Sequence, residues 1–190
     1  MSLFVGTTAA FAALADPLVA REPFGKAHVQ MMIRAEDKDG GSTMADLDVY
    51  AEGSRLRAQL KGKGKHQGEL WIDGFAAEAV LLRGGKVFEP RKHTLEHSLT
   101  LAMSPSKDLG NSKNDRVAGK PCKVVTEELK GGLTMTRCIW KGLPLSVELT
   151  GKGVSFNAAA MLVEEGQVTV ADLQPPPGAP AAAAGLTAGR

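Results

Sequence analysis

Apolar and polar residues alternate one for one along several stretches of this chain, and most of those stretches stop at a glycine-containing turn. A period of two marks a strand with one buried face, because successive side chains of an extended backbone point to opposite sides. In residues 43–51, Ala45, Leu47, Val49 and Ala51 fall on one side, and Asp46, Asp48 and Tyr50 on the other. In residues 55–60, Leu56, Ala58 and Leu60 alternate with Arg55, Arg57 and Gln59. Between them stand Gly53 and Ser54. Regular short strands punctuated this way predict a mainly β fold, an antiparallel sheet or open barrel.

Other segments fit the same plan. Residues 26–34 form an apolar run that ends at Asp37-Lys38-Asp39-Gly40-Gly41, a strong turn signal. Leu70-Trp71-Ile72 is a short strand ahead of Asp73-Gly74. Residues 75–83 suit helix or strand, and Gly84-Gly85 before Lys86-Val87-Phe88-Glu89 favours a hairpin. Strands are predicted over 122–128, 133–140, 145–150, 154–163 and 167–173, with a polar loop over 104–116. The best helix candidate is 91–103, where Leu95, Leu99 and Met103 recur every four residues and Ser104-Pro105-Ser106 stops the run.

Length and charge bound the partners. At 190 residues one domain is expected, over about residues 20–178. A net charge of +2 and an aromatic content of 5% give no footing for nucleic-acid binding. No stretch reaches the length of a transmembrane helix. The basic residues concentrate between positions 55 and 92: Arg55, Arg57, Lys61, Lys63, Lys65, Arg83, Lys86, Arg91 and Lys92 against Glu69, Asp73, Glu78 and Glu89. They form either a face for an anionic envelope surface or ordinary solvated turns and strand faces.

Two features speak to compartment. Residues 1–15 resemble a signal peptide: a short apolar run closing on Ala13-Leu14-Ala15, although no Lys or Arg precedes it. Cys122 and Cys138 lie on opposite arms of a predicted hairpin. With Lys130 as its midpoint they face one another directly, at a Cα spacing of about 4.5–5.5 Å that a disulfide can bridge. Disulfides persist in oxidising compartments, so a periplasmic or secreted protein is expected. The C-terminal residues 179–190 are a Pro/Ala/Gly tail expected to be disordered.

Chemistry-bearing motifs are few. His93-Thr94-Leu95-Glu96-His97 matches H-x-x-E-H, in which two histidines one helical turn apart hold zinc and the glutamate serves as base. The pattern fixes three positions only, needs a third ligand from elsewhere, with Glu164 or Glu165 as the downstream candidates, and lacks the glycines that normally flank it. A zinc-dependent hydrolase is therefore the remote alternative to a plain surface helix. The lysine-glycine run at 61–65 lacks phosphate-loop spacing. No catalytic residue, cofactor or resident metal is expected.

The order of the pieces resembles the LolA-like periplasmic lipoprotein-carrier superfamily and secreted domains related to it. The resemblance runs from about residue 42 to 178. Its carriers are Gly53-Ser54-Arg55-Leu56-Arg57, the hairpin through Gly85–Thr94, Val117–Lys123, Thr136–Trp140, Leu143-Pro144-Leu145 and the closing Leu173–Gly178. It implies a curved antiparallel half-barrel with one or two covering helices over an apolar cavity. On that reading Leu47, Val49, Leu56, Leu60, Trp71 and Phe88 line a pocket for a lipid or a lipoprotein acyl chain. The alternative is a structural or interaction protein of the envelope, with the same fold and no ligand.

Overall fold

The computed structural model describes residues 24–36, 41–62, 66–74, 78–92, 94–105 and 112–175. The signal-peptide-like segment, the 179–190 tail, Lys63, Lys65 and His93 lie outside the described residues.

Eleven strands form one antiparallel sheet. In chain order they are β1 (Phe24–Glu36), β2 (Ser42–Gly53), β3 (Arg55–Lys61), β4 (Gln67–Asp73), β5 (Glu78–Arg83), β6 (Lys86–Val87), β7 (Lys113–Val117), β8 (Lys120–Leu129), β9 (Leu133–Trp140), β10 (Leu143–Gly151) and β11 (Val154–Glu165). Their spatial order is β6-β5-β4-β3-β2-β1-β11-β10-β9-β8-β7. Each half is a run of hairpins, and the long strands β1 and β11 join the halves. A helix, α1 (Leu95–Met103), connects them.

The alternation read in the sequence is the alternation of the sheet. Val29, Leu47, Leu56 and Leu70 belong to one large apolar cluster, which also takes in Leu95, Leu99, Ala102 and Met103 of α1. Glu96 in the first turn of the helix pairs with Arg83 of β5, and the Ser104 carbonyl at its far end accepts from Arg137 of β9. Seven strand spacings separate β5 from β9 in the sheet order. Laid flat, that is about 34 Å, whereas nine helical residues reach only about 13 Å. Two arginine side chains do not fill the difference, so the sheet curls. The apolar face is concave under α1, and the polar face is convex.

Three expectations require correction. The helix starts at Leu95, four residues later than expected, because the Thr94 hydroxyl accepts from the His97 backbone N–H and caps it. The polar stretch 104–116 contains the start of β7, whose exposed, charged residues hide the strand pattern. Residues 167–173 form no strand: after Gly166 the chain leaves the sheet and makes a single 3-10 turn at Ala171–Leu173.

Candidate functional site

Two faces of the sheet are candidates. On the concave face stand Leu47, Val49, Leu56 and Leu60, all nearly inaccessible, with Phe88 half-buried against the same cluster. Trp71 does not join them. It faces Arg57 across the β3–β4 ladder, between Leu70 and Ile72, and so points to the convex side with Val80 and Leu82. The physical reason is the period of two: in the apolar run Leu70-Trp71-Ile72 the middle residue must take the opposite face.

One charge is built into the concave side. Arg137 faces Val147 across the β9–β10 ladder and is 2% exposed. Its guanidinium donates to Glu127 and to the Ser104 carbonyl. Burial pulls its pKa down, opposed by the Glu127 charge. Placed beyond the helix C-terminus, it also meets the negative end of the helix dipole. The sequence offered a hint of this residue, an arginine at an otherwise apolar inward position of 133–140, but nothing named its partner.

Of the H-x-x-E-H motif, His93 lies outside the described residues, and Glu96 and His97 stand in the first turn of α1. Thr94 caps the helix, which begins at Leu95. Glu96 is 6% exposed and spent on Arg83 at 2.5 Å, with His66 Nδ1 at 3.6 Å. Among the described residues no group of three or more His, Cys, Asp or Glu is placed to hold a metal.

The convex side carries an ion-pair network. The His28 ring stacks on Tyr50, with centroids 4.6 Å apart and planes 6° from parallel. Its Nε2 lies 3.2 Å from Asp48 and its Nδ1 3.0 Å from Glu164. Lys61 also pairs with Asp48. Burial pushes the Asp48 carboxyl up, but hydrogen bonds from Lys61 and His28 outweigh it and hold it below its ordinary value. Burial and the Asp48 charge raise Tyr50. Arg57 bonds Glu69 at 2.9 Å, reaches the Asp172 carbonyl at 3.3 Å and lies 5.2 Å from the Trp71 ring centre. At the β1–β11 end, Lys120 and Lys141 both bond Glu165 and hold its carboxyl down at about 2.

This placement corrects the idea of a single basic face. Arg57 and Lys61 lie on the convex side, and Arg83 reaches to the helix over the concave one. All three are committed to carboxylates.

Cys122 and Cys138 form a disulfide with a Cα–Cα distance of 5.3 Å. The pair is not directly opposite. Leu129 faces Leu133, which centres the hairpin on residue 131, and Cys138 faces Val124. The bridge therefore runs diagonally.

No family model and no curated protein matches the chain. Solved structures similar to it include MucB, at 16% identity and a TM-score of 0.42 over 85% of this chain. This chain spans 61% of that MucB chain. A LolA superfamily protein from Nitrosomonas europaea is 10% identical, with a TM-score of 0.42 over 82% of this chain and 92% of its own. An uncharacterized conserved protein from Thermus thermophilus is 10% identical, with a TM-score of 0.41 over 80% of this chain and 88% of its own. The superfamily that the sequence resembles is thus among the matches. Scores this low leave the functional argument to the geometry of the chain itself. No helix among the described residues is long and apolar enough to cross a membrane.

Proposed function

We propose that this chain is an envelope binding protein whose concave face takes a hydrophobic or lipidic ligand beneath α1. One observation carries the reading. The concave face is apolar across both halves of an eleven-stranded sheet, yet the one described α-helix over it has nine residues. Leu47, Val49, Leu56, Leu60 and Phe88 are the proposed lining, with Leu99 and Met103 of the helix as its roof. The helix is held at its two ends by arginines from opposite halves of the sheet, so a ligand can be admitted by shifting one short element. The disulfide supports an oxidising compartment, periplasmic or secreted.

A second reading has its own support. The concave side chains are nearly inaccessible, as in an ordinary packed core, which suits a structural or interaction protein without ligand. The test is uptake of a fluorescent fatty acid together with mass spectrometry of organic extracts of the purified protein. Saturable uptake that Val49→Phe abolishes in a still-folded protein supports the binding reading. Lipid-free extracts with no uptake turn the assignment to the structural one.

A further inference from the structure

His28 stands where the two halves of the sheet join. Its strand, β1, pairs with β2 on one side and β11 on the other, and His28 faces Tyr50 across the first ladder and Glu164 across the second. The flat stack on Tyr50 fixes the plane of the ring. So held, the ring turns one nitrogen to each half: Nε2 lies 3.2 Å from Asp48 of β2, and Nδ1 lies 3.0 Å from Glu164 of β11. The side chain is only 14% exposed, so water does little to satisfy either nitrogen.

Hydrogen-bond valence decides what such a ring can do. A neutral imidazole carries one N–H and one bare lone pair, whereas an ionised carboxylate only accepts. With both nitrogens protonated, the ring donates to both carboxylates. With one protonated, a lone pair is left facing a carboxylate oxygen, and that contact opens. Glu164 is the partner free to move: its side chain is 43% exposed, against 10% for Asp48, which Lys61 also holds. The other described charged groups around the ring have partners of their own. Lys26 of β1 pairs with Glu52 of β2, and Arg57 of β3 with Glu69 of β4. Glu165 of β11 is taken by Lys120 and Lys141. The Asp172 carboxylate accepts from the Thr169 backbone N–H and hydroxyl at 2.7 Å.

Two residues beyond Glu164 the chain leaves the sheet. The Gly166 N–H donates to the Lys26 carbonyl at 3.0 Å, Val168 and Leu173 are buried, and the Asp172 carbonyl accepts from Arg57 at 3.3 Å. Residues 166–173 thus strap the convex side from β1 to β3. We infer that His28 is a proton-operated clamp on this strap: with two ring protons it ties β2 to β11, and on losing one it releases Glu164, so that the strap loosens from its β11 end. The hold is present at lower pH and is lost as pH rises through the titration of the ring. The clamp lies on the opposite side of the sheet from the proposed lipid face and does not depend on it.

The test is amide hydrogen exchange of the whole protein, corrected for intrinsic rates, beside the NMR titration of the His28 ring. Both run from roughly pH 5 to pH 9, a window that spans the ordinary histidine range and lies above the carboxylate one. Protection of the Gly166 amide should fall about tenfold across the transition that deprotonates the ring, the size of one hydrogen bond to a charged group. Glu164→Gln should abolish this step and leave Gly166 protected throughout, because a carboxamide can accept from the ring N–H or donate to its lone pair. His28→Gln, which assigns the ring signal, carries no titrating proton and should show no step either. His66→Asn, at the histidine near Glu96, should leave the step in place. A ring that titrates with no change at Gly166 overturns the clamp. So does a ring that holds one protonation state across the whole window, and so does a step that survives Glu164→Gln or His28→Gln.

Discussion

Arg137 and Asp48 are both charged groups surrounded by β-sheet, and they respond differently to perturbation. Arg137 is buried in an apolar face, with Glu127 as its counter-charge. Removing Glu127 leaves the desolvated Arg137 charge uncompensated and costs about 3–5 kcal/mol, whereas removing Arg137 leaves Glu127, whose side chain is 22% exposed, still within reach of water. Glu127→Ala should therefore lower stability by about 3 kcal/mol or more, and Arg137→Met by clearly less, both read from urea denaturation. The reverse order would show that Arg137 is not as desolvated as its position indicates. Asp48 sets the behaviour in acid. Its folded pKa is depressed, so its contribution is fully present above the ordinary carboxylate value and is lost as pH falls through the lowered one. Stability should decline as pH drops below about 4. Asp48→Asn should flatten that acid limb while lowering stability at neutral pH, measured as unfolding midpoints across pH 2–7.

The elements differ in how far the sequence announced them. The central strands were legible because their alternation is undiluted: Leu56, Ala58 and Leu60 need no tertiary knowledge to be assigned one face. Trp71 was misplaced because large apolar residues filled both faces of β4 and erased the alternation. β7 escaped notice because an edge strand buries almost nothing, so its residues read as loop. The hairpin register was off by one residue at its centre, since Lys130-Gly131-Gly132 offers more than one place to turn, and only the β8–β9 ladder selects 131. The disulfide survives the shift because this diagonal pair comes within 5.3 Å at Cα, inside the bridging range. It closes a loop of the size that contributes about 3 kcal/mol in the chain-entropy model. Cys122→Ala/Cys138→Ala should lose about that much in urea denaturation, with little change in far-ultraviolet circular dichroism. For α1, Thr94→Ala should cost about 1 kcal/mol by removing the cap, seen as a lower thermal midpoint.

At the scale of the whole molecule, the sheet curls without closing: its spatial order ends at β6 on one side and β7 on the other. An open sheet presents unpaired backbone groups along its last strand, a template for association with another copy. The two edges meet this hazard in different ways. β6 is two residues long, too short to template a partner. β7 is longer, and along it Lys113, Asn114, Asp115 and Arg116 are all exposed. Their charges have no fold to stabilise at those positions, yet they keep a second strand from docking, since pairing would desolvate them. Replacing Lys113, Asp115 and Arg116 together with threonine should therefore leave the unfolding midpoint of the monomer nearly unchanged. The same triple variant should self-associate, shifting from monomer toward dimer and larger species on size-exclusion chromatography as concentration rises. The single variant Lys113→Thr should shift less, because two charges remain on the edge. A triple variant that stays monomeric at every concentration would mean that the curl itself turns the β7 edge away from a partner, and that the charges on it are incidental.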